Sequence, residues 1–189
     1  MPRTKEQFEA LRVQKIELIE DAAMECFAAV GFHGTSISSI AKKAGISTGL
    51  TYNYFSSKED LLTSIYLKGM KNIFEPVEQL KVINEKGFRA FIDHLFTEME
   101  NNTTFWKLYF IVMSQPDILA KYQEHIMNTI APLTAKMSSY FKKKCISEPE
   151  AETRLLFSLL YGICMNYLTD HEHYPLDKIR KKILSYYGQ

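Results

Sequence analysis

Residues 35–58, TSISSIAKKAGISTGLTYNYFSSK, constrain the fold of this chain more than any other stretch. Ile37, Ile40 and Ala41 recur at helical spacing behind the hydroxyls of Thr35 and Ser36, either of which can accept the bare N–H groups of a helix start. Gly45 follows the last periodic residue, where a left-handed conformation lets the chain turn sharply, and Ser47 stands as the N-cap of a second short helix. Ser57, with Asp60 three residues on, opens a third. The spacing predicts two short helices across a tight turn and then a longer one, with Ser47 to Phe55 as the candidate reading helix of a helix-turn-helix.

A reading helix enters the major groove N-terminus first, so its first turn needs small or hydrogen-bonding side chains. Thr48, Gly49, Thr51, Tyr52 and Asn53 meet that demand. Gly49 costs a helix about 1 kcal/mol relative to Ala, so something other than helix stability asks for it, and a close backbone approach to DNA would. Lys58 places a cation beside an exposed helix N-terminus, two features that favour a phosphate oxygen. From Gly31 to Lys58 there are three lysines, Lys42, Lys43 and Lys58, and no acidic residue. Thr48, Leu50, Tyr52 and Asn53 are expected near bases or their flanking phosphates, after the Ser47 cap, while Thr35, Tyr54 and Lys58 would hold the backbone.

The longer string CFAAVGFHGTSISSIAKKAGISTGLTYNYFSSKEDLL resembles the N-terminal DNA-binding domain of the TetR (tetracycline repressor) family. The likeness runs from about Ile16 to Leu62 and includes Phe27, Gly31, Phe32, Thr35, Ile40-Ala41, Gly45, Ser47, Gly49, Tyr52, Phe55, Lys58 and Leu61-Leu62. Two positions depart from the family pattern. Thr48 stands where a lysine is common, which removes a phosphate cation, and Leu50-Thr51 replaces the usual Thr-Leu, so that Leu50 offers only apolar contact, for instance to a thymine methyl. The resemblance implies a homodimeric transcriptional regulator, a repressor, on roughly palindromic double-stranded operator DNA. It also implies a small-molecule effector pocket inside a helical body, and a dimer built as a four-helix bundle across a two-fold axis.

The rest of the chain carries helical patterns and no strand-like alternation, so the expected class is all-α: a three-helix head, residues 1–57, and a larger effector-binding and dimerisation body, residues 58–189. From about 8 to 30, Ile16, Ile19, Ala23, Cys26, Phe27 and Val30 share one face, with Glu17, Glu20, Asp21 and Glu25 on others. Arg3 and Lys5 read as a frayed terminus, with a short arm touching phosphate as the lesser alternative. The helix begun at Lys58 should stop or kink at Pro76, and it is the natural lever between body and head. Further helices are expected at roughly 86–100, 103–114, 117–144, 149–170 and 176–187, with Pro132 bending the long one.

The helix after Glu148 carries apolar residues around more of its circumference than one core face needs, so it should be buried on two sides. It and the last helix supply the expected dimer interface: Leu155, Leu159, Gly162, Ile163, Ile179, Ile183 and Tyr186. Aromatic and methionine side chains concentrate in the middle of the body, with sparse polar handles. Phe91, His94, Phe105, Trp106, Tyr109, Met113, Tyr122, Tyr161 and Met165 are the candidate lining of a pocket for an apolar or aromatic ligand.

A net charge of +1 gives no bulk attraction to nucleic acid, so DNA affinity must come from a local patch. Cys26, Cys145 and Cys164 lack CxxC spacing, which argues against a disulfide framework or zinc site and suits a reducing cytoplasm. No run is long and apolar enough to span a bilayer, so no membrane partner is expected, and no cofactor or metal is called for. Gly45-Ile46-Ser47-Thr48-Gly49 matches the G-x-S-x-G elbow of hydrolases, but that chemistry needs a strand before the serine and here a helix precedes it, so no enzyme is expected. His171-Glu172-His173 could converge on a metal only if the chain has already left the helix there. The alternative reading is a helical small-molecule carrier with a vestigial head.

Overall fold

The computed structural model describes residues 4–188, apart from the side chains of residues 77, 78, 117–119, 121, 122 and 125. Among them the regular structure is α-helical, as expected: α1 (Lys5–Gly34), α2 (Ile37–Lys43), α3 (Thr48–Tyr52), α4 (Lys58–Glu78), α5 (Glu85–Asn101), α6 (Thr103–Met113), α7 (Pro116–Lys143), α8 (Pro149–Thr169) and α9 (Leu176–Tyr187). The last five match the expected spans to within one residue at each end. The chain divides into two compact units, Met1–Gly69 and Met70–Gln189.

In the first unit α1 opens with a reciprocal cap: Gln7 N donates to Thr4 Oγ1 over 3.3 Å and Thr4 N donates to Gln7 Oε1 over 3.0 Å. Arg3 lies outside the described residues. Gly31, at φ 74°, breaks the helix before its last turn, a conformation that a side chain would strain. Ile19, Ala22, Ala23 and Phe27 are buried, but two expectations for α1 are reversed. Val30 is 63% exposed, because the Gly31 break ends the face it was assigned to, while Glu20 is only 4% exposed. Glu20 is tolerated inside because its carboxylate accepts from Ser64 Oγ at 2.6 Å and Lys68 Nζ at 2.8 Å. This ties α1 to α4.

Pro76 does not stop α4, which continues to Glu78. A proline leaves the carbonyl four residues back without its helical donor, here that of Asn72. His94 Nε2 sits 2.9 Å from that oxygen, so the imidazole of α5 supplies the missing N–H. The helix survives its proline because a neighbour completes it.

In the second unit α8 packs against α6 and α7, and α5 against α6 and α9. Pro116 and Pro149 occupy first-turn positions, where no helical N–H partner is needed, and α7 runs through Pro132. Phe88 and Tyr140 stack with centroids 5.1 Å apart, beside Phe141 and Tyr187. The C-terminal helix is held at its end: Tyr140 Oη donates to Tyr187 O at 2.7 Å, Arg89 to Gly188 O at 2.6 Å, and Tyr187 Oη to Glu152 at 2.6 Å.

Candidate functional site

Ser36, not Thr35, caps α2: Ser39 N donates to Ser36 Oγ at 3.0 Å and Ser36 N to Ser39 Oγ at 3.1 Å. The helix ends in a Schellman turn, with Ile46 N on Ala41 O at 3.0 Å, Gly45 N on Lys42 O at 3.2 Å, and Gly45 at φ +66°. Ser47 then caps α3, its Oγ accepting from Leu50 N at 3.1 Å. The serine of the G-x-S-x-G string thus follows helix α2, and its oxygen is engaged in capping.

The reading helix is shorter than expected, Thr48–Tyr52, and continues as a turn in which Tyr54 N and Phe55 N both reach Thr51 O at 3.0 Å. Thr48, Gly49, Tyr52 and Asn53 form its exposed side, Tyr52 with 54% of its surface open, while Leu50 and Tyr54 are half-buried. Thr51 is fully buried, its hydroxyl donating to Ser47 O at 3.3 Å, so it is removed from the candidate DNA contacts. A Cβ built on Gly49 meets no atom within 4 Å. Nothing in the protein's own packing requires that glycine.

Two of the three residues expected to hold the backbone, Thr35 and Lys58, are turned inward. Thr35 is buried and its hydroxyl donates to Gly31 O at 2.8 Å. Lys58 Nζ donates to Phe32 O at 2.7 Å and Thr35 O at 2.8 Å and lies over the Phe32 ring. Two of its three protons are therefore committed to carbonyls at the end of α1, whose oxygens are the nearest acceptors once Gly31 bends the chain. Ser57 caps α4 as expected, accepting from Asp60 N at 3.0 Å, but the Asp60 carboxylate returns to Ser56 N at 2.8 Å rather than to the cap residue.

The cationic patch is correspondingly thin. Lys43 is paired with Glu25 at 2.6 Å, which raises its pKa, whereas Lys42 is exposed and in no ion pair among the described residues.

The second unit holds a cavity of about 790 Å³. Of the candidate lining residues, Phe91, Trp106, Tyr109 and Tyr161 border it, and His94, Phe105, Met113 and Met165 do not. His94 is drawn away to Asn72 O, Phe105 packs edge-on to Trp106 at 5.8 Å, and Met165, one turn past Tyr161 on α8, is 41% exposed. The side chain of Tyr122 lies outside the described residues. Sequence reading missed the α4 wall, Met70, Ile73 and Phe74, although these stand at helical i, i+3, i+4 spacing. It also missed Thr153, Arg154 and Cys164 of α8. Burial pushes the Tyr109 phenol and the Cys164 thiol each up to about 12, so both are neutral at physiological pH. Trp106 is fixed by its Nε1, which donates to Glu98 O at 3.1 Å.

On α8 the expected second apolar face is open to solvent: Leu155 is 50% and Leu159 41% exposed, and a Cβ on Gly162 would meet nothing. Tyr186 of α9 is 74% exposed and Ile179 half-buried. Ile163 and Ile183 are instead buried within the second unit, with 8% and 5% exposure. His173 Nδ1 pairs with Asp170 at 3.0 Å and His171 packs on Tyr167, so the two histidines engage different neighbours. Among the described residues no helix is long and apolar enough to cross a membrane.

A family profile described as "Bacterial regulatory proteins, tetR family" matches residues 19–65, the segment from the buried face of α1 to the first turns of α4. A fatty acid metabolism regulator protein of Bacillus subtilis is 43% identical over 61 residues, which span 32% of this chain and 31% of that relative. The HTH-type transcriptional regulator UidR of Escherichia coli is 29% identical over 161 residues, 77% of each chain. The fold is also that of the transcriptional regulator FadR from Bacillus subtilis, solved in complex with stearoyl-CoA. That structure has a TM-score of 0.73 and 21% identity, with 89% of this chain and 95% of that one covered. With a capped helix-turn-helix inside it, the segment 19–65 is a DNA-binding head of the tetR family of bacterial regulatory proteins, and the described residues beyond it share the fold of FadR.

Proposed function

We propose that the protein is a homodimeric, sequence-specific repressor that leaves its operator when a small apolar or aromatic ligand occupies the body. The observation that carries this reading is the outward side of α3, where Thr48, Gly49, Tyr52 and Asn53 are exposed and Gly49 has open space where a Cβ would sit. Small and hydrogen-bonding groups on a capped helix, placed by a sharp turn, meet the requirements of major-groove entry. Leu50 and Tyr54 border that side and reach the groove edge or the flanking phosphates. Thr35 and Lys58 act as positioning residues that fix α4 and the turn after α1.

The apolar strip of Leu155, Leu159, open Gly162 and Tyr186 supports pairing with a second copy through α8 and α9, a self-complementary surface of the kind two-fold dimers use. The effector reading is supported by the cavity and by the stearoyl-CoA bound to the similarly folded FadR. Helix α4 contributes Lys58 to the head and Met70, Ile73 and Phe74 to the cavity wall, so a ligand pressing on that wall acts on the rod that ends in the head. A coupling of about 1 to 3 kcal/mol between the two sites suffices.

The test is titration of the protein against the DNA upstream of its own gene and against scrambled DNA at near-physiological salt, followed by selection from random DNA. A preference of about 10³-fold or more for one sequence is expected, lost in Tyr52→Ala. Equal weak binding to every sequence, with ligand binding intact, would reject the regulator in favour of a carrier.

A further inference from the structure

We infer that the cavity takes an amphiphile, an apolar chain or ring system lying inward and a single anionic group held at the mouth by Arg154. This rests on the effector reading of the cavity and narrows it to a class of ligand.

The floor repels charge of either sign. Met70, Phe74, Phe91, Leu95 and Met99 present hydrocarbon, sulfur and ring faces, and the polar groups set among them, the Tyr109 phenol and the Cys164 thiol, stay neutral. An ionised group carried to that depth would be desolvated without a counter-charge, so the inner part of any ligand must be uncharged. The cavity volume lies in the range of small-molecule sites, which place a few polar groups around an apolar body to fix orientation.

The mouth is different. Arg154 lines it, is exposed, and has no ion-pair partner among the described residues. Glu150, one turn earlier, also lines the cavity but is not paired with Arg154, and it lies in the first turn of α8, where the helix N-terminus favours a carboxylate. Ser138 and Ser158 add hydroxyls to the lining, that of Ser158 donating to Arg154 O at 2.9 Å. A planar fork of N–H donors without a partner, above an uncharged apolar chamber, matches a carboxylate, sulfonate or phosphate at one end of a greasy molecule.

The chain contains one tryptophan, Trp106, and it lines the cavity, so energy transfer from it reports a fluorophore inside. The full-length protein is titrated with N-phenyl-1-naphthylamine, which is neutral, and with 1-anilinonaphthalene-8-sulfonate, the same ring system bearing an anion. Both should draw on Trp106 emission. Arg154→Gln should weaken the sulfonate about tenfold and leave the neutral probe within about twofold, with Arg154→Lys retaining part of the difference. Dodecanoate and dodecan-1-ol, read by displacement of the neutral probe, should part in the same way. If Arg154→Gln shifts both members of each pair equally, or neither, the anionic mouth is wrong while the cavity reading stands. If neither probe reaches Trp106, the cavity reading fails and takes this inference with it. Because Arg154 is exposed, the substituted protein should fold, and unchanged far-UV circular dichroism checks that.

Discussion

The Lys58 ammonium donates to the Phe32 carbonyl at 2.7 Å while lying 4.3 Å from the centroid of the same residue's ring. With Thr35 O at 2.8 Å as second acceptor, one cation fastens the start of α4 to the chain between α1 and α2. Lys58→Ala leaves those carbonyls without their donor, and hydrogen bonds to a charged group contribute about 1.5 to 3 kcal/mol net of the exchange with water, less where the site is part-exposed. The expected loss of head stability is about 2 kcal/mol, measured by chemical denaturation. Operator affinity should fall with it while the salt dependence keeps its slope; a slope flatter by about one unit would instead mark Lys58 as a phosphate contact.

How much of this was legible in the sequence depends on whether the determining contact is local. Ser47, Gly45 and the helix limits of α5 to α9 follow from interactions within a few residues, which spacing reveals. The burial of Glu20, the inward turn of Lys58 and the survival of α4 past Pro76 depend on partners 44, 26 and 22 positions apart in sequence. Spacing carries no record of those. The pocket divides in the same way: the concentration of rings in the middle of the body pointed to Phe91 and Trp106, but His94 is taken by a carbonyl that only the fold brings near.

Gly49→Ala separates folding from recognition. The added methyl meets open space and relieves the helix of a glycine, so thermal stability should rise, by up to about 1 kcal/mol. Operator binding should weaken at the same time. A variant that is both more stable and equally tight on DNA would show that the backbone at Gly49 does not approach the groove.

Leu159→Glu places a carboxylate on the open apolar face of α8, where Leu159 is 41% exposed in a single chain. Folding of the protomer should be little affected, whereas self-association should be lost because the symmetric contact brings two such charges together. Sedimentation velocity checks this, and a variant sedimenting as the unaltered protein would place the interface elsewhere.

Alkaline pH should loosen the body before other conditions do. Burial raises the Cys164 thiol from 9.0 to about 12 and the Tyr109 phenol from 10.0 to about 12, and burial with the Glu152 carboxylate raises Tyr187 to about 12. Each group keeps its proton in the folded state after the unfolded chain has begun to release it, so the stability is complete below pH 9 and lost as pH climbs through these folded values. Cys164→Ala should delay the onset from about pH 9 to about pH 10, read from denaturation midpoints across that range.

The five residues of α3 set a limit on what one head can know. At about 1.5 Å of rise per residue the helix covers about 7.5 Å, little more than two base-pair steps, and the sealed face at Thr51 removes part of even that. An address a few letters long recurs throughout any genome, among about 10⁶ or more competing sites. A second head at a fixed distance squares the odds against a chance match. In the proposed dimer the brevity of the reader makes doubling a matter of counting, and whatever altered the distance between the two heads would erase the address without touching a single letter of it.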